Sequence, residues 1–286
     1  MKKQWKLFAK LAVILGVFSF TLAACGSSDK EETKTEDNPS SVEAIKKRGK
    51  LKVAVFGDLS PYGYLDDKGK NQGYDVYIAK RLAKELLGDE SKVDFVVVNA
   101  EERVDALKSN KVDLVLANFT KTPEREKVVD FASPYMKVGV GVVSKKSDPV
   151  TDVKDLADEK LIVTKGTTAE TYFTKEHSEV QLEKYESKSQ QFQALTDGRA
   201  KALADDNTYL YAWVKENPDF EVGIKEIGDV STINPAVKKG NKSLLNWVNK
   251  ELGELKEDGF FEEAYDETLK PFFGSEVKAS DVIITE

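Results

Sequence analysis

The chain has one cysteine and one histidine in 286 residues, and each scarcity removes a class of chemistry. With Cys25 alone, no disulfide can form within the chain. His177 lies in a polar stretch that reads as solvated, and neither a Ser-His-Asp order nor a metal-ligand cluster accompanies it. No catalytic residue, metal or cofactor is therefore expected. Asp205 and Asp206 are neighbours in sequence, which argues against a facing pair of catalytic acids. There is no internal repeat, coiled coil or aromatic-rich exposed stretch to support a surface adhesin. Basic residues are outnumbered, 43 against 50 acidic, and without a clustered basic surface nucleic acid is excluded as a partner. What remains is 33% charged and 40% hydrophobic, the balance of a folded soluble body.

The N-terminus is different in kind. Lys2, Lys3, Lys6 and Lys10 precede an almost wholly apolar run from Leu11 to Ala24, the order of a secretory signal. The run is shorter than the ~20 apolar residues that span a bilayer, so it is expected to be removed. It closes on Leu22-Ala23-Ala24-Cys25, which resembles a bacterial lipobox. That resemblance implies cleavage before Cys25 and lipidation of its thiol, and two acyl chains anchor a protein stably. Residues 1–24 carry four lysines and no acid, so their removal takes the net charge from −7 to −11. Residues 25–41 lack apolar periodicity and read as a flexible tether. The protein is expected on the extracytoplasmic face of the cell membrane, in contact with lipid through its anchor only.

From Val42 onward, short β-branched runs alternate with amphipathic stretches, which predicts α/β layering with mostly parallel strands. Strands are expected at Leu51–Phe56, Val93–Val98 and Val112–Ala117. A helix is expected from about Tyr74 to Leu87, its Val76, Ala79, Leu82, Ala83 and Leu86 sharing one face. The pattern restarts with Leu161–Val163, a helix at about Thr168–Lys175 and a strand at Ala202–Ala204, so a second lobe is implied. A last helix, about Lys242–Leu255, carries an apolar stripe, and the sequence does not assign it to a lobe.

Three polar segments follow strands, where ligands of α/β folds collect. Asn118-Phe119-Thr120-Lys121-Thr122-Pro123-Glu124-Arg125 enters a helix at Pro123 and offers the planar two-pronged donor of Arg125 to a carboxylate. Lys165-Gly166-Thr167-Thr168-Ala169-Glu170 opens a helix whose N-terminus suits an anion. It also fits a capping box of Thr167 with Glu170. Ala204-Asp205-Asp206-Asn207 supplies a carboxylate that could meet an ammonium group or cap a helix. Together they complement a zwitterionic amino acid.

In this order, the segments resemble the polar amino acid-binding proteins of ABC importers, the bacterial family-3 solute receptors. The resemblance runs from about Val42 to Phe273 and includes Gly73-Tyr74-Asp75-Val76, Lys111-Val112-Asp113-Leu114, Asp130-Phe131-Ala132-Ser133-Pro134-Tyr135 and Gly166-Thr167-Thr168. It implies a two-lobed periplasmic-binding-protein-like fold of type II, with doubly wound lobes joined by crossover strands near Tyr135–Ser144 and Asp229–Val237. Lobe one would hold residues 42–140 and 233–286, and lobe two residues 141–232. It also implies a monomer that receives a free amino acid and passes it to ABC permease subunits.

By the same resemblance, Arg125 and Thr120 hold the ligand carboxylate, Thr167 and Thr168 close over it, Asp206 takes the amine, and Asn118 faces the ligand. Phe56 stands where many receptors for basic or amide side chains carry an acid, and Ala100 aligns where many carry an aromatic. A cationic ligand side chain is therefore disfavoured. Arg103 matches an arginine of the aspartate/glutamate and cysteine branches. Asn118-Phe119-Thr120 and the stretches at Thr171–Glu176 and Asp206–Val214 are most similar to the cysteine branch. Cysteine is the expected ligand, with aspartate or glutamate next. A dehydratase on the same fold is the alternative of another class.

Overall fold

A computed structural model describes residues 38–273 and 277–284. Cys25, the expected signal and the tether up to residue 37 lie outside those residues. Asn38–Ser41, expected to end the tether, already belong to the packed body. Ser40 is buried, its carbonyl accepts from Asn241 Nδ2, and Ser41 caps the first helix through Ala44 N–H.

The strands of the first half are β1 (Leu51–Val55), β2 (Asp58–Leu59), β3 (Gly63–Leu65), β4 (Asn71–Gln72), β5 (Val93–Val97), β6 (Leu114–Val115) and β7 (Val129–Phe131). Those of the second are β8 (Met136–Lys145), β9 (Lys160–Thr164), β10 (Gln181–Tyr185), β11 (Ala202–Asp206), β12 (Phe220–Ile233) and β13 (Ala236–Lys238). They form one sheet in the order β5-β1-β6-β13-β7, a second in the order β10-β9-β11-β8-β12, and a small β2-β3-β4 sheet.

Each large sheet is mixed, which corrects the expectation of mostly parallel strands. β1 pairs in parallel with β5 and β6, and β9 with β10 and β11, whereas β13, β8 and β12 enter antiparallel. The reason is connectivity. β8 and β12 are the two crossovers, lying side by side from Met136↔Ile233 to Lys145↔Phe220, and β13 returns the chain into the middle of the first sheet. The second crossover is thus longer than expected.

Helices fill the connections: α1 (Val42–Arg48), α2 (Tyr74–Leu87), α3 (Glu102–Lys108), α4 (Pro123–Glu126), α5 (Thr168–Glu176), α6 (Lys188–Thr196), α7 (Asn207–Glu216), α8 (Lys242–Glu257), α9 (Phe260–Thr268) and α10 (Lys270–Phe273). The expected face of α2 is buried as a unit. Its start requires Gly73: φ is 108° and a Cβ there would lie 2.5 Å from the Tyr62 carbonyl oxygen, a conformation and approach open to glycine alone. α8 packs on α1, α2 and β13, which places it in the first lobe.

Strand alternation sorts the second sheet's side chains to two faces. Leu161, Val163, Ala202 and Ala204 join a cluster with Phe173 under α5. Ile162 and Leu203 point the other way and pack with Phe192 and Leu195 of α6, continuous with the first lobe's core. β6 is shorter than the expected Val112–Ala117 strand, and just before it the Asp113 carboxylate takes the place of a backbone acceptor. It accepts from Lys52 N–H at 2.9 Å and from the Arg48 guanidinium.

Candidate functional site

The 2-1-3 order of β5-β1-β6 repeats in β10-β9-β11, so each lobe directs the carboxyl ends of two neighbouring strands into the cleft. Phe56 follows β1, Asn118–Thr120 lie just beyond β6, Gly166–Thr168 follow β9, and Asp206 ends β11. Phe56, Arg103, Asn118, Thr120, Arg125, Thr167, Thr168 and Asp206 come together around one compact cavity, together with Lys188, which the sequence reading missed. Phe119 does not line it. Its ring lies 4.4 Å from the Arg103 guanidinium and 4.8 Å from that of Arg125, supporting both by cation–π contact.

The two arginines differ in what they can still donate. Arg103 gives four bonds to backbone carbonyls, of Ala100, Ala117, Asn118 and Gly166, which leaves one N–H of the guanidinium's five. It braces the Asn118 turn, with one N–H left over for any other partner. Arg125 gives two, to Thr120 O at 2.7 Å and Gly166 O at 2.8 Å, and keeps the fork needed for a carboxylate. Burial lowers both pKa values, that of Arg125 to about 10. Both remain cations at neutral pH.

Opposite them, Asp206 occupies the N-cap position of α7 without capping it. Its carboxylate turns into the cleft, where Asn118 Nδ2 donates at 2.8 Å and Thr168 Oγ1 at 3.4 Å. Burial, reinforced by the Asp205 charge, pushes its pKa up to about 6 against the opposing pull of Lys188, Arg103 and Arg125. Asp205, on the other face of the strand, forms a buried pair with Lys188 at 2.5 Å and accepts from Gln191. Thr167 caps α5 through Glu170 N–H at 3.2 Å, while the Glu170 carboxylate accepts from Gly166 N–H at 2.7 Å. The capping box is therefore displaced by one residue.

Asn118 adopts φ 44°, a left-handed conformation that asparagine tolerates. It is fixed there by Asp75 Oδ2, which accepts its N–H at 2.8 Å, while Asp75 Oδ1 takes the Tyr135 hydroxyl at 2.6 Å. Burial raises Asp75 to about 6, opposed by those two bonds and by Arg103. One acceptor is left over: Asn118 Oδ1 is buried without a partner, which costs about 1–3 kcal/mol. It lies on a side chain that lines the cavity with Asp206.

Gly166 closes the lobes. A Cβ there would lie 2.9 Å from the Glu101 side chain, and its φ is 74°. With the Gly166 carbonyl held by both arginines, the compact cavity has a free volume of about 10 Å³, room for about one water. A space of that size is too small for an amino acid.

The sequence signal for Lys188 was its position. A lysine in the first turn of a helix opposes the helix dipole, and the Asp205 carboxylate explains why it is tolerated.

A receptor architecture thus emerges, with opposite charges on opposite lobes of one closing cleft. Residues 51–271 match the bacterial extracellular solute-binding proteins, family 3, and the chain belongs to that family. Among solved structures it is similar to a solute receptor for L-cysteine of Neisseria gonorrhoeae, with 54% identity, TM-score 0.84, and 85% of this chain and 99% of that chain covered. It is similar to a cysteine-binding protein from Campylobacter jejuni at 53% identity and TM-score 0.84, covering 85% and 98%. The ABC transporter glutamine-binding protein GlnH of Bacillus subtilis is 33% identical over 275 residues, 94% of this chain and 98% of its own length. The family and these neighbours are binding receptors, which disposes of the dehydratase alternative.

Proposed function

We propose that the chain captures a free L-amino acid, cysteine above others, and presents it to the permease subunits of an ABC importer as a lipid-anchored monomer. The observation that carries this reading is the pairing across the cleft of Arg125, with donors to spare, and Asp206 beside the unpartnered Asn118 Oδ1. The first matches an α-carboxylate and the second an ammonium group. The two cysteine receptors above, each more than half identical to this chain, support the ligand assignment.

Charge balance supports it independently. In and directly beneath the cleft are three cations, the buried Arg103 and Lys188 and the half-buried Arg125, and three buried acids, Asp75, Asp205 and Asp206. A zwitterion with a neutral side chain keeps that balance, whereas a charged side chain leaves an uncompensated buried charge. The second reading, aspartate or glutamate, is favoured by the spare N–H of Arg103 and by Lys188 in the cavity wall.

A thermal-shift panel of all common amino acids, with cystine included and cysteine kept reduced, tests the assignment. Bound ligand raises stability by about 2.7 kcal/mol at a hundredfold excess over Kd. Cysteine is expected to give the largest shift, and a dominant shift with lysine or arginine overturns the pocket assignment. The anchor rests on Leu22-Ala23-Ala24-Cys25, and Cys25→Ala is expected to release the protein or leave its precursor uncut. Membrane retention of a correctly processed Cys25→Ala protein contradicts it.

A further inference from the structure

A second, larger cavity of about 540 Å³ adjoins the compact one. The two share four residues, Thr120, Arg125, Thr168 and Asp206. Phe56, Arg103, Asn118, Thr167 and Lys188 line only the compact cavity. The larger groove runs on between α5 and the crossover ribbon, past Thr171, Tyr172, Lys175, Ile227 and Ser231.

That division orients a ligand. On the reading above, the carboxylate and ammonium sit at the four shared residues and the side chain at the residues confined to the compact cavity. The groove therefore opens at the backbone end of the amino acid. A group attached to the carboxyl carbon would pass beside Arg125 into free space, and one further residue needs only about 3.3–3.6 Å of extended chain. The groove has the surfaces for that residue: apolar walls from Val138, Val140 and Ile227, the Tyr172 ring, and the Lys175 ammonium, which forms a solvent-exposed pair with Glu124 at 3.0 Å across the lobes.

From this adjacency we propose that the receptor also takes short peptides whose first residue is its preferred amino acid. The N-terminal ammonium lies at Asp206, the first side chain in the compact cavity and the second residue in the groove. The proposal rests on the amino-acid reading above and extends it from a free zwitterion to an N-terminal residue.

Calorimetry on the purified protein tests it, using the amino acid that gives the largest thermal shift and its dipeptide with C-terminal glycine. For cysteine that probe is reduced cysteinyl-glycine. The dipeptide has an amide where the free amino acid offers Arg125 a carboxylate, and carries its own carboxylate one residue along the groove, so it is expected to bind about ten- to a hundredfold more weakly than the free amino acid. Thr171→Trp and Ser231→Trp, at residues that line the groove and are not among the four shared ones, are each expected to weaken the dipeptide at least tenfold and the free amino acid less than threefold. The free amino acid also reports that each variant is folded. No heat from the dipeptide at 1 mM, on protein that binds the free amino acid, overturns the proposal, as does undiminished dipeptide binding by both tryptophan variants. If no free amino acid binds at all, the reading beneath it fails as well.

Discussion

The two lobes are built alike and charged differently. Both place the ends of a 2-1-3 strand set at the cleft, but lobe one brings the two arginines and lobe two brings Asp206 with the Asp205–Lys188 pair behind it. The two charges are held by different kinds of partner, with Gly166 O of lobe two accepting from both arginines and Asn118 Nδ2 of lobe one donating to Asp206. Lobe one cradles cations in backbone carbonyls, whereas lobe two anchors its acids with a buried lysine, a glutamine and a threonine. On the proposed reading the difference explains why a zwitterion would favour closure: its carboxylate would belong to one lobe and its ammonium to the other, so neither lobe alone would satisfy it.

The largest effect should come from breaking the lobe-two scaffold. Lys188→Met strands the Asp205 carboxylate, whose pair is about 4% and 2% exposed at its two side chains, and should cost about 3–5 kcal/mol of stability in chemical denaturation. Arg125→Ala acts on the other lobe and on binding. It should weaken affinity by about 2–5 kcal/mol in calorimetry while the melting temperature without ligand stays near that of the wild type.

Asp206→Asn should follow, at about 1.5–3 kcal/mol of binding for a charge-assisted bond. It should also remove the pH dependence that this residue confers. Since Asp206 ionises at about 6 in the free protein, wild-type affinity should be flat above about pH 7 and fall by up to tenfold per unit below about 6. Stability without ligand moves the other way. Asp206 and Asp75 are raised from 3.8 to about 6, so the folded state holds more protons than the unfolded chain in that window. From these two groups, stability rises as pH falls through it.

The smallest effect concerns one lobe-to-lobe contact away from the compact cavity. Ser189 N–H and Oγ donate to Asp58 Oδ2 at 3.1 and 3.3 Å. Asp58→Ala should lower affinity only about two- to fivefold, through the population of the closed form, as read by the same titration.

Much of this contrast was legible in the sequence. The α2 face, the strand ends at Asn118, Gly166 and Asp206, and the donor geometry of Arg125 all follow from local spacing, which the chain carries in runs of a few residues. The unread parts are long-range. That Arg103 spends its donors on carbonyls depends on the turn at Asn118 and on Gly166 from the other lobe, 63 residues away. The Lys188–Asp205 pair and the Asp75 brace on Asn118 likewise join residues that only the folded sheets bring together. The antiparallel entry of β8, β12 and β13 follows from connectivity, to which strand propensity is blind.

The division of one ligand between two lobes is tested most directly by taking the ligand apart. Calorimetry would compare the best-binding amino acid with its decarboxylated amine and its deaminated acid, for cysteine, cysteamine and 3-mercaptopropionate. Each fragment should bind at least about a hundredfold more weakly than the intact amino acid, since each leaves one lobe's charge unanswered. Binding of either fragment within a few-fold of the amino acid would contradict the account.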